Sequence, residues 1–262
     1  MTLKLIACSI FQREICAALA TTPHVVDVEF IELGDHDKPV QLREFLQSRI
    51  DTPHAAHSRQ IARSYGAILL AYGICGNAAN GLRARNIPLV IPRAHDCATL
   101  LLGSRESFIE HFGDNPSHPF GCVGYFERGH NNCQGEMTER PVSDPGYLKM
   151  VEEYGEENAR YVWETMRPPV VDHRALFITT PPTLGHPSMA DFKAMAGREG
   201  LAYEELRGST RFIDALINGP WDAADFLTVP PGSEIRCVYD QTLVMTAEPC
   251  ENEAVNKTGL TG

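Results

Sequence analysis

The sequence predicts an α/β protein with a mostly parallel sheet and helices on both faces, in a size range that fits two Rossmann-like lobes. Three observations predict it. Short apolar runs recur as Leu3–Ala7, Val25–Ile31, AILLA at 67–71 and IPLVI at 87–91. Such uninterrupted runs read as strands buried on both faces, the habit of parallel sheets. Segments with helical spacing alternate with them, and 262 residues at 43% hydrophobic content supply a large core.

Taken in order, Leu3–Ala7 is the first strand, and Ile10–Ala20 follows with Ile10, Phe11, Ile15, Ala18 and Leu19 at helical spacing. Val25–Ile31 is the second strand and Val40–Ile50 a helix with Leu42, Phe45, Leu46 and Ile50 on one side. Ala55–Ser64 reads as a helix, Ala67–Ala71 as a strand, Leu82–Arg85 as the close of a short helix and Ile87–Ile91 as the next strand. A helix begins at Cys97 and extends toward Phe112. Residues 113–146 are rich in Gly and Pro yet carry His118, Phe120, Tyr125, Phe126, His130 and Cys133. They read as an irregular lid or loop with one short strand at Cys122–Phe126. Helix 146–166 ends at Pro168-Pro169. Then come strand Ala175–Thr179, helix Ser188–Arg198, strand Leu201–Leu206, helix Ser209–Ile217 with Ser209 as its cap, strand Phe226–Val229 and a hairpin of 234–239 with 242–246. The expected organisation is an N-terminal lobe 1–112 carrying the functional site, the lid 113–146, a C-terminal lobe 147–250 and a disordered tail 251–262.

The net charge of −11 argues against nucleic acid and anionic membrane as partners, since nothing would neutralise phosphates. The first ten residues hold one Lys and a short apolar run, which fits a strand rather than a signal peptide. The expected location is the cytoplasm. In that compartment the eight cysteines are read as inert thiols, metal ligands or nucleophiles rather than disulfides.

Three cysteines follow strands. In open parallel sheets ligands bind beyond the carboxyl ends of the strands. Cys8 follows the first strand, Cys75 follows AILLA in Tyr72-Gly73-Ile74-Cys75-Gly76-Asn77, and Cys97 follows IPLVI in Arg93-Ala94-His95-Asp96-Cys97. Gly73 and Gly76 permit a tight turn and close backbone approach, and with Asn77 they are the candidate cofactor-binding residues. A helix starting after Cys75 would favour its thiolate. Arg93, His95, Asp96 and Tyr72 are the candidate catalytic residues. Arg93 would hold a carboxylate or stabilise a thiolate, and His95 would carry a proton or serve as a ligand. Capping of the following helix is the alternative role for Asp96. Glu14 would support the site from behind or simply face solvent. Three converging thiolates with one open position suit a catalytic zinc, or a [4Fe–4S] cluster with one free iron. Cys8, Cys75 and Cys97 are the candidate metal ligands.

At YGICGN, IPRAHDCATLLLGSRE, LIACSI, EEYGEENARYV and the stretch Gly219–Gly232 the chain resembles the domain of unknown function 1638 family. The resemblance implies cysteines of the family pattern at Cys8, Cys75 and Cys97. It also implies a setting beside corrinoid-dependent methyltransferases and their corrinoid proteins, the candidate partners. After Phe112 the chain departs from the Gly-Thr-Tyr-Tyr and Gly-Trp pattern of the family, reading His118 to Phe126 instead. The expected function is a metal-dependent enzyme, a transferase of one-carbon metabolism that activates a thiol for methyl transfer from or to a small molecule. The alternatives are a [4Fe–4S] lyase or dehydratase on a small acid, a metal-free racemase-like enzyme pairing Cys75 with Cys97, and a non-catalytic metal or corrinoid partner protein.

Overall fold

The first strand, β1 (Thr2–Cys8), is buried from Leu3 onward because neighbouring strands flank it and helices cover it. In the computed structural model, residues 1–32, 39–52, 65–74, 77–113, 115, 118–129, 151, 152, 155, 156, 158, 173–238 and 243–250 are described. β1 leads through a 3₁₀ turn at Ser9–Phe11 into α1 (Gln12–Leu19). β2 (Val25–Ile31), α2 (Pro39–Asp51), β3 (Ala67–Ala71) and β4 (Leu89–Pro92) follow. β2, β1, β3 and β4 lie in that order and all run parallel. The expected parallel α/β architecture is therefore present. Its fifth strand, β8 (Phe226–Val229), pairs antiparallel with the outer side of β4, Leu89 opposite Val229 and Pro92 opposite Phe226.

That pairing changes the organisation expected along the chain. The molecule divides into two compact units. One is formed by Met1–Phe108, Thr180–Thr183 and Gly208–Gly262, the other by Ile109–Thr179 and Leu184–Arg207. The units thus run differently from consecutive lobes 1–112 and 147–250, because the C-terminal quarter returns to the first sheet. α7 (Arg211–Asn218) packs on β3, β4 and α1 in the first unit, burying Phe212, Ile213, Leu216 and Ile217. Each such aliphatic or aromatic side chain stabilises by about 1.5–3 kcal/mol on full burial. β9 (Ser233–Cys237) and β10 (Met245–Pro249) form the expected antiparallel pair, the first strand starting one residue earlier and the second three residues later than expected.

The second unit is built on a parallel sheet β5–β6–β7, from β5 (Phe120–Cys122), β6 (Arg174–Thr179) and β7 (Ala202–Arg207). Helix α6 (Ser188–Arg198) covers it through Phe192 and Ala196, which cluster with Val123, Ala175 and Phe177. The segment expected to be an irregular lid is ordered over 118–129. Its strand lies at 120–122 and is followed by a short helix, α5 (Val123–Phe126), instead of running from 122 to 126. The aromatics there serve the core: Phe126 meets Phe177 and Phe192 edge-on, and Phe120 meets Phe112 and Tyr125. Of the lid proposed for 113–146, His130, Cys133 and all of 130–146 lie outside the described residues, as do helix 55–64 and the tail 251–262.

Two further differences bear on the site. The helix begun at Cys97 is two helices, α3 (Cys97–Leu102) and α4 (Arg105–Phe112). Gly103 separates them at φ +79°, where a side chain would also meet Ser209 at 2.7 Å. No helix forms at 77–85. Residues 77–81 are turns, and 82–84 run alongside the distant hairpin: Ile235 N donates to Leu82 O and Ala84 N to Ser233 O. Backbone groups that a local helix would have satisfied are satisfied by a strand about 150 residues downstream.

Candidate functional site at the strand ends of the first unit

The strand order β2–β1–β3–β4 places a topological switch point between β1 and β3, where connections leave in opposite directions. In open sheets of this kind ligands bind outside the carboxyl ends of the strands at such a point. Cys8 is the last residue of β1 and is 1% exposed. Ala7 is in register with Ala71, the last residue of β3, so Tyr72 leaves the sheet beside Cys8. Cys97 is the first residue of α3 and is 4% exposed. Cys75 and Gly76 lie outside the described residues.

The turn after β3 and the turn after β4 touch through their backbones. A Cβ on Gly73 would stand 2.7 Å from Asp96 N and 2.8 Å from Asp96 Cα. Ile74 N donates to Ala94 O at 3.0 Å, and this bond ties the two turns together. The close approach that Gly73 permits is therefore made to the neighbouring turn. Asn77 stands at φ 69°, a left-handed conformation that Asn tolerates better than most residues.

Each remaining candidate has a definite setting. Asp96 caps α3, accepting from Thr99 N at 3.0 Å and from Thr99 Oγ1 at 3.1 Å. Burial pushes its carboxyl up from the usual range, and the Thr99 bonds oppose that shift. His95 is half-buried and stacks on Phe108, ring centroids 5.8 Å apart. Tyr72 is buried at 3% exposure. Arg93 donates through Nε to Ala223 O at 2.8 Å and through Nη1 to Leu243 O at 2.6 Å and Met245 O at 2.5 Å. The residue is 8% exposed, and main-chain oxygens occupy its guanidinium. Burial lowers its pKa, with a smaller contribution from Arg105.

One group gains weight over its sequence reading. Glu14, in the first turn of the helix that leaves Cys8, is 3% exposed rather than solvated. Its Oε1 accepts from Thr180 Oγ1 at 2.5 Å, and Thr180 and Thr183 are themselves buried and bonded to each other. A Glu on the buried stripe of an amphipathic helix, one residue before Ile15, was the available signal. The six described cysteines form no disulfide. Among the described residues, which do not include Cys75, no group of three or more His, Cys, Asp or Glu is placed to hold a metal.

The fold defines the class: an open α/β protein with a mostly parallel sheet, a buried Cys8 at the end of β1 and a buried Cys97 at the start of α3. Within that class the chain belongs to the family described as "Protein of unknown function (DUF1638)", whose model matches residues 30–217. No curated protein and no solved structure matches the chain. The matched range holds the turns of Cys75 and Cys97. It begins after β1 and ends before β8. No helix among the described residues is long and apolar enough to cross a membrane.

Proposed function

We propose that the protein is a cytoplasmic metal-dependent enzyme with Cys8, Cys75 and Cys97 as ligands, acting in one-carbon or corrinoid-linked methyl metabolism. The observation that carries this reading is the backbone contact between Gly73 and Asp96. It brings the segment that ends at Ile74, one residue before Cys75 in the sequence, against the turn that leads to Cys97, and Cys8 ends the strand next to β3. Three thiolates leave one position of a zinc ion for substrate. A zinc ion held there would lower the pKa of a substrate thiol and so make it a better methyl acceptor. The residues around the thiols have supporting roles. Asp96 starts the helix of Cys97, and His95 is the imidazole within reach of the rim for proton transfer. The occupied guanidinium of Arg93 does not serve as the substrate's anion site in this reading. A small molecule and a corrinoid protein or methyltransferase are the proposed partners.

The test is metal analysis of protein purified without oxygen, together with its Cys75→Ser variant. One colourless zinc per chain, lost in Cys75→Ser with the circular dichroism spectrum retained, supports the reading. A brown protein with iron and sulfide replaces zinc by a [4Fe–4S] cluster on the same ligands. Unchanged metal content in Cys75→Ser removes that residue from the ligand set. No metal in the wild-type protein leaves a pair of thiols working as acid and base.

A further inference from the structure

Arg93 is a buried cation whose hydrogen-bond partners are carbonyl oxygens from two separate places, Ala223 and the pair Leu243 and Met245. Among the described residues no carboxylate pairs with it. Its own backbone N–H donates to Asp225 O at 2.8 Å. Burying a guanidinium without a counter-charge is costly, so a role in stability alone would be served better by an apolar side chain of similar size. What the guanidinium offers is a planar fork of donors at fixed angles. Here the fork clasps two stretches of main chain, both beyond the range matched by the family model. On the other side of Arg93 the chain turns through Ala94, whose carbonyl holds Ile74, to Asp96 and Cys97.

We infer that Arg93 is a positioning residue that uses residues 223–225 and 243–245 as a fixed frame for the turn delivering Cys97 to the strand-end rim. The inference rests on Cys97 being a working thiol, as proposed above, but it concerns how that thiol is placed. The C-terminal segment then belongs to the site, although it contributes no group to the chemistry. Arg105 is the natural comparison. It bonds the adjoining carbonyl, Ala224 O, at 2.8 Å, but does so from α4, beyond the Cys97 turn. Loss of Arg105 leaves the three bonds of Arg93 to Ala223, Leu243 and Met245 in place.

The experiment compares Arg93→Lys and Arg105→Lys in the full-length protein. Lysine keeps the charge and loses the fork. Two properties are read besides thermal stability: affinity for cobalt(II) added alone, and the rate at which iodoacetamide labels Cys97 in metal-free protein, followed by peptide mass spectrometry. Arg93→Lys is expected to weaken cobalt binding by about 10–100-fold, as loss of an outer support does. It is also expected to label Cys97 several-fold faster, because the wild-type thiol is 4% exposed and reacts only when its turn opens. Arg105→Lys should lower stability and leave both properties unchanged. Arg93→Gln, read in the same way, serves if the Lys variant does not fold. Wild-type behaviour of Cys97 in a destabilised Arg93 variant overturns the inference, as does an equal effect of Arg105→Lys. If cobalt does not bind the wild-type protein, the metal reading falls, and the labelling rates alone decide the role of Arg93.

Discussion

Replacing Gly73 by alanine tests the contact on which the site is built. The added Cβ would lie 2.7 Å from Asp96 N, 2.8 Å from Asp96 Cα and 3.0 Å from Ala94 O. All three are backbone atoms, so no side chain can swing aside. Ordinary contact begins at 3.4 Å, and reaching it requires the two turns to part by about 0.7 Å. Overpacking of this kind costs about 1–3 kcal/mol. The narrower choice of conformations in the unfolded chain offsets about 0.4–1 kcal/mol of that. The expected net loss is near 1–2 kcal/mol, or a Tm lower by roughly 2–4 °C per kcal/mol. Gly197→Ala is the control. Gly197 lies inside α6 with nothing within 4 Å of its Cβ position, so alanine there should stabilise by about 0.5–1 kcal/mol. Differential scanning calorimetry gives both values, and cobalt titration shows whether Gly73→Ala also weakens the site. A Gly73→Ala protein with unchanged Tm and full cobalt affinity would refute the view that the two turns must touch.

Three further outcomes are expected. Asp96→Asn keeps a good helix cap without the buried charge and should leave Tm unchanged or higher, whereas Asp96→Ala should cost about 1 kcal/mol; a larger loss in the Asn variant would show that the charge itself holds the fold. Burial raises the Cys237 thiol to about 11, so the folded protein holds that proton more tightly than the unfolded chain. Stability should therefore fall as pH rises from the ordinary thiol range toward 11, a fall that Cys237→Ala removes in alkaline thermal melts. Exposed Cys16 should take up iodoacetamide before Cys8 or Cys97, which mass mapping of a time course would check.

The parts of the fold that were legible in the sequence are those governed by local pattern. AILLA forms β3 over Ala67–Ala71, FLTV forms β8, and Ser188–Arg198 is a helix at both expected ends. In each, an apolar run of one period meets a clear break, and no distant partner alters the outcome. The misses share a different cause. Leu82–Arg85 has the composition of a helical turn but is drawn alongside β9. Val123–Phe126 has strand-like residues, yet it coils into α5 so that Phe126 reaches Phe177 and Phe192 in the core of the second unit. Linear order suggested a separate C-terminal lobe, because nothing local tells a strand that it will pair antiparallel with β4.

The same distinction between local and distant runs through the candidate site. That the turns after β1, β3 and β4 carry its cysteines follows from strand ends, which are local features. The cap made by Asp96 is local too, three residues from Thr99. The settings of Arg93 and Glu14 are not local. Partners of Arg93 lie 130, 150 and 152 residues away, and Thr180 lies 166 residues from Glu14. An arginine beside a cysteine reads naturally as an anion holder, and only the folded chain reveals that carbonyl oxygens already occupy it. A glutamate in a first helical turn reads naturally as a solvated residue that favours the helix dipole, and here it is buried against two threonines.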